Sequence, residues 1–163
     1  SFLVALPKGA SILDIGGGKE GLKKELAVTR PDLVVFSINP SLGKSQHRQF
    51  YSTPNAILGI NPELPIRSNS VDRVLDNMAS IYYSEDLDDS TLRNYLLEII
   101  RVLKNGASAF VGPSFIFPNK DFGGKGKIGN ILNGMGSVTW QKKSVHFETS
   151  NDKIWRAYHI YKK

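Results

Sequence analysis

The chain has 163 residues, no cysteine, 40% apolar residues and a formal net charge of +6. That length suits one domain with one core, and the absence of cysteine excludes disulfides and thiolate metal sites. No apolar run approaches the ~18 residues of a membrane span, and Ser1 to Leu6 is too short for a signal peptide, so the expected setting is cytoplasmic with no membrane partner.

His47, His146 and His159 show no metal-ligand spacing, and no metal is expected. The basic balance admits nucleic acid as a partner; the competing reading is an ordinary solvated basic surface.

Ser1 to Pro7 is apolar and reads as the end of a helix packed on a sheet, and Pro7-Lys8-Gly9 turns the chain into the first strand. Ser11-Ile12-Leu13-Asp14-Ile15 is an apolar run suited to a buried strand. Gly16-Gly17-Gly18 then allows a tight turn that brings backbone N–H groups close to a ligand. A helix is expected from Glu20 to Thr29, with Leu22 and Leu26 on its inner face, stopped by Arg30-Pro31-Asp32. Strand, glycine turn and helix in this order form the nucleotide-binding entry of open α/β folds.

Leu33 to Ile38 reads as a central parallel strand, apolar on both faces. Asn39-Pro40-Ser41 ends it, and Ser41 is placed to cap a short helix through Tyr51. Ala56 to Ile60 is a weak third strand, followed by a proline-bearing loop over Asn61 to Pro65. Val71 to Leu75 is the fourth strand. Thr91 to Leu103 is the best helix, since Leu92, Leu96, Ile99, Ile100 and Leu103 share one face. Asn105-Gly106 is expected to end it, with the glycine in the left-handed cap position.

Ala107 to Val111 is the fifth strand. Pro113 to Gly136 holds six glycines and two prolines and reads as a long loop with at most one short helix. Val138 to Phe147 and Ile154 to Tyr161 form a closing hairpin around Ser150-Asn151-Asp152. Alternating strands and helices predict a mainly parallel α/β sheet with helices on both faces and the last pair antiparallel at one edge. With no repeat or linker, residues 1–163 are expected to form one domain.

Four stretches together resemble the S-adenosylmethionine-dependent methyltransferases with a Rossmann-like fold. They are Ile12-Leu13-Asp14-Ile15-Gly16-Gly17-Gly18, Leu64-Pro65-Ile66 with Asn69 to Leu75, Leu97 to Gly106 with its Arg101-Val102-Leu103-Lys104 run, and the final hairpin. The resemblance implies about seven strands with one reversed. It also implies S-adenosylmethionine at the carboxyl ends of the first strands, held by Asp14, Gly16, Gly17, Gly18, Asn39, Pro40, Asn61 and Asn77. Asp76-Asn77 would lie beside the reactive methyl.

The sequence departs from the family at three places. Glu20 stands where the third glycine of the turn falls, Asn39 where an acid holds the ribose, and Ile60 near a second acid. An amide at Asn39 accepts a hydrogen bond without the charge, at a cost of ~1 kcal/mol. The resemblance therefore implies a methyltransferase of unassigned substrate, small molecule or nucleic acid. The alternative is a non-enzymatic scaffold of the same fold that binds a protein or nucleic-acid partner. The short chain also implies an open acceptor pocket, completed by a second subunit or an N-terminal segment.

Gly16-x-Gly18-x-x-Gly21 also satisfies the dinucleotide fingerprint. That reading expects an acid about 20 residues on, where Asn39 stands. The glycines could alternatively serve only close helix–strand packing. His47, His146, Tyr82 and Asp86 are conceivable bases, but no spacing singles out a catalytic residue. Tyr82 and Tyr83 read as pocket-lining or as ordinary surface residues. Lys120, Lys125 and Lys127 read as a phosphate-contacting arm or as a solvated loop, and Lys142-Lys143 and Lys162-Lys163 as solubility charges.

Overall fold

The computed structural model describes residues 5–16, 21–39, 55–58, 62–76, 87–114, 126–146 and 154–163. The strands are Ser11–Ile15 (β1), Val34–Asn39 (β2), Ala56–Leu58 (β3), Val71–Asp76 (β4), Leu103–Ser114 (β5), Val138–His146 (β6) and Ile154–Lys162 (β7). The helices are Gly21–Thr29 (α1), Asp89–Val102 (α2) and Gly126–Asn133 (α3). The seven strands form one sheet in the order β3-β2-β1-β4-β5-β7-β6. Every neighbouring pair is parallel except those of β7, which runs antiparallel to β5 and β6. This is the expected α/β sheet with one reversed strand.

Strand alternation divides the core in two. Leu13, Ile15, Val74, Ala109, Val111 and Ile160 point to one side and pack with Leu92, Leu96 and Ile99 of α2 and Ile128 and Leu132 of α3. Ile12 and Val35 point to the other side and pack with Leu6, Ala10 and Leu26 of α1. Helices on both faces explain why β1 and β2 carry apolar side chains on both faces.

The expected inner face of α2 is buried as read. The helix starts at Asp89, earlier than the periodicity indicates, because Asp88 caps it and accepts a hydrogen bond from the Thr91 N–H at 2.9 Å. Its end differs from expectation. Leu103 is extended, fully buried and paired with Val71, so it opens β5 rather than closing α2. Gly106 has φ +77°, but as a turn inside β5, where the pairing jumps from Val71↔Leu103 to Arg73↔Ser108. Burial and ladder pairing outweigh the helix propensity of this short run.

Two family-like stretches are physically joined. Arg101 on α2 donates to the carbonyls of Leu64 at 3.0 Å and Ile66 at 2.9 Å. It also forms paired hydrogen bonds with Glu98, which accepts from the Leu64 N–H at 3.2 Å.

Two lysine readings are corrected. Lys127 lies in the first turn of α3 and donates to the Leu87 carbonyl while pairing with Asp89 at 3.3 Å, so it is tied to the start of α2. Lys162 donates to Asn69 at 2.5 Å and to the Leu103 carbonyl at 2.8 Å, binding β7 to the β4–β5 region. The short helix over 41–51, Ile60, Lys120, Lys125 and the turn at Ser150 to Asp152 lie outside the described residues.

Candidate functional site

From β1 the chain moves outward to β2 and β3, then crosses back to place β4 on the other side of β1. The strand order therefore reverses between β1 and β4, the switch point at whose crevice open α/β sheets bind ligands. Gly16 stands at its edge with φ +73°, and its N–H donates to the Ile38 carbonyl at 2.7 Å. A side chain is strained at that φ, so glycine is what lets β1 end in so abrupt a turn.

Three buried polar side chains gather at this edge. Asp14 is 3% exposed, and Asp76 and Ser37 are fully buried. The parallel register sets Asp14 opposite Ser37 on β2, and Ile15 opposite Asp76 on β4. Among the described residues the Ser37 hydroxyl makes no hydrogen bond. Burial pushes the Asp14 carboxyl up to about 6, and the nearby Asp76 charge adds to the rise. A buried acid with a raised pKa at a strand-order switch point is a candidate functional residue.

Of the positions expected to hold a cofactor, Asp14 and Gly16 lie at this crevice. Asn39 ends β2, with its backbone in register with Leu58 of β3. Gly17, Gly18, Pro40, Asn61 and Asn77 lie outside the described residues, as do His47, Tyr82, Tyr83 and Asp86. Asp76, expected just past the fourth strand, is its last residue. Ser37 escaped the sequence reading; its signal is a lone polar residue inside an otherwise apolar strand.

His159 lies away from the crevice. Arg73 donates to Ser108 Oγ, which also shares a hydrogen bond with His159 Nε2 at 3.0 Å. His159 Nδ1 and Tyr161 Oη share a hydrogen bond of 2.8 Å. Burial, then the charges of Arg73 and Lys143, hold this imidazole below the usual histidine range.

No protein-family model matches the chain, and no curated protein is significantly similar to it in sequence. Solved structures are similar. A SAM-dependent methyltransferase from Methanosarcina mazei superposes with a TM-score of 0.63 at 16% identity, over 95% of this chain and 92% of that one. The complex of the Haloferax volcanii Trm112 methyltransferase activator with a proposed methyltransferase gives 0.66 at 17% identity, over 99% and 88%. The N-methyltransferase NodS from Bradyrhizobium japonicum gives 0.63 at 12%, over 96% and 88%. With that sheet order, a single reversed strand and these neighbours, the chain has the class I, Rossmann-like fold of the S-adenosylmethionine-dependent methyltransferases.

Proposed function

We propose that residues 1–163 act as one S-adenosylmethionine-dependent methyltransferase domain. The observation that carries this reading is the pair of buried carboxylates, Asp14 and Asp76, at the switch-point crevice. Two acids in a low-dielectric cleft repel each other and favour a cation between them. S-adenosylmethionine brings a sulfonium and an ammonium group. A dinucleotide brings an anionic pyrophosphate, which the same two acids repel. The electrostatics therefore separate the two nucleotide readings that the glycine pattern alone leaves open.

On this reading Asp14 holds the cofactor's ammonium group, and the turn from Gly16 to Gly18 lets its methionine end approach the backbone. Asn39 and Pro40 lie toward the ribose, Asn61 toward the adenine, and Asn77 beside the methyl. Bound there, the cofactor supplies a methyl on a positively charged sulfur for in-line displacement. The chain's part is to orient the reactants and exclude water. A partner subunit completing the acceptor pocket belongs to the same proposal. Its motivation is the Haloferax volcanii neighbour, which is assembled with the Trm112 activator.

Calorimetry with S-adenosylmethionine, S-adenosylhomocysteine and NAD tests the proposal. The first two are expected to bind and NAD to give no heat. Asn39→Asp is expected to tighten S-adenosylmethionine about fivefold, equivalent to ~1 kcal/mol. No heat with either sulfur nucleoside at millimolar concentration overturns the enzyme reading in favour of a scaffold.

A further inference from the structure

We propose that Ser37 is a positioning residue for S-adenosylmethionine: its hydroxyl is the donor that steadies the Asp14 carboxylate while that carboxylate holds the cofactor's ammonium group. This rests on the methyltransferase reading and adds to it a residue that acts through Asp14 rather than touching the cofactor.

Ser37 interrupts the apolar run of β2 between Phe36 and Ile38. It is fully buried, and among the described residues its Oγ has no hydrogen-bond partner. A hydroxyl withdrawn from water and left unbonded costs free energy, so alanine would suit the unliganded strand better. A serine in a helix can recover that loss on a carbonyl one turn back, which a serine in a strand cannot. The backbone is already committed, since the Ser37 N–H donates to the Asn55 carbonyl at 3.1 Å.

The register supplies a partner. Ser37 is paired with Asp14 on β1, and paired residues in a parallel ladder carry their side chains on the same face. Adjacent strands lie about 4.8 Å apart, so rotation of the two side chains about their own χ angles brings hydroxyl and carboxylate within hydrogen-bond reach without moving the backbone. The rest of that face is aliphatic or engaged elsewhere. Ile12 and Val35 flank the pair along the strands, and Leu75 of β4 and Leu22 and Leu26 of α1 pack with them. Arg73 of β4 is bonded to Ser108, and its charge is coupled to Tyr161 and Asp72. Among the described residues Asp76 is the one charge that shifts Asp14, and it has the same sign.

An ionised carboxylate is a pure acceptor with room for several donors, and one ammonium group fills only part of that capacity. Ser37 is the neighbouring donor that no other group has claimed. Its hydrogen bond favours the ionised carboxylate, the form that binds a cation.

Calorimetry and NMR of the whole chain test this. S-adenosylmethionine is compared with methylthioadenosine, which keeps the nucleoside and lacks the ammonium group. Ser37→Ala is expected to weaken S-adenosylmethionine about tenfold and methylthioadenosine less than about twofold. In an Asp14→Asn background the same substitution is expected to change S-adenosylmethionine affinity less than about twofold. Ser37→Cys, close in size but a weak donor, is expected to fall between the parent and Ser37→Ala. NMR of the Asp14 carboxyl in the unliganded chain is expected to place its titration midpoint about 0.5–1 pH unit higher in Ser37→Ala than in the parent. A parent chain that fails to bind S-adenosylmethionine overturns the methyltransferase reading and this inference with it. Where the parent binds, this inference alone is overturned by an unchanged affinity in Ser37→Ala, by an equal loss for both ligands, by a loss that persists in Asp14→Asn, or by an Asp14 midpoint that does not rise.

Discussion

Asp14 concentrates the conflict between stability and function at a single residue. Its folded pKa near 6 lies above the ordinary value of 3.8, so the folded chain holds this proton more tightly than the unfolded chain. The stabilisation from that proton is fully present below 3.8 and is lost as pH rises through about 6. Above that, an ionised carboxylate sits buried beside Asp76, at a cost of up to about 3 kcal/mol. Asp14→Asn is therefore expected to raise stability by about 1–3 kcal/mol at pH 7.5 and to leave it unchanged near pH 4. The same variant is expected to lose about tenfold or more in S-adenosylmethionine affinity, through loss of a charged hydrogen bond. Urea titrations at the two pH values and calorimetry check both halves.

His159 works in the opposite sense. Its folded pKa is depressed, so its contribution is fully present above about 6.5 and is lost as pH falls below that. Protonation would set a second cation against Arg73 and Lys143 in a partly buried place. The stability lost between pH 7.5 and 5 is expected to be smaller in His159→Gln than in the parent, as read by urea midpoints.

At the scale of elements, α2 is the post to which the rest is tied. Leu96 is fully buried in the larger core, and Leu96→Ala is expected to cost about 3 kcal/mol, within the range for large core truncations. Arg101 holds the 64–66 loop through two carbonyls and holds Glu98 through a forked pair. Arg101→Ala is expected to cost about 1–2 kcal/mol and to open that loop to proteolysis. Arg101→Lys recovers less than half, because an ammonium cannot reproduce the planar fork. At Gly106 an added Cβ meets nothing within 4 Å, so the whole penalty of Gly106→Ala is backbone strain, about 1 kcal/mol. Equilibrium unfolding measures all four variants.

At the scale of the molecule, strand order is what turns local features into a site. Because β4 lies beside β1 rather than beside β3, the carboxyl ends of β1 and β4 are adjacent and the charges of Asp14 and Asp76 couple. A ligand that binds only the folded chain stabilises it by mass action. S-adenosylmethionine at a hundredfold excess over its Kd is expected to add about 2.7 kcal/mol and raise the melting temperature. NAD at the same concentration is expected to leave it unchanged, and thermal scans with each ligand give the comparison.

The amino-acid order by itself determined the pieces whose signal is local. Period and capping gave the buried face of α2, the apolar run and glycine gave the end of β1, and β-branched residues gave β2 and the closing pair. Only the tertiary structure decided that Leu103 leaves the helix for the ladder, that Gly106 turns within a strand, and that Lys127 and Lys162 are bound rather than solvated. It alone also set Asp76 and Ser37 beside Asp14. Propensity and periodicity act within a few turns of chain, whereas burial, register and the coupling of two charges depend on segments that only folding brings together.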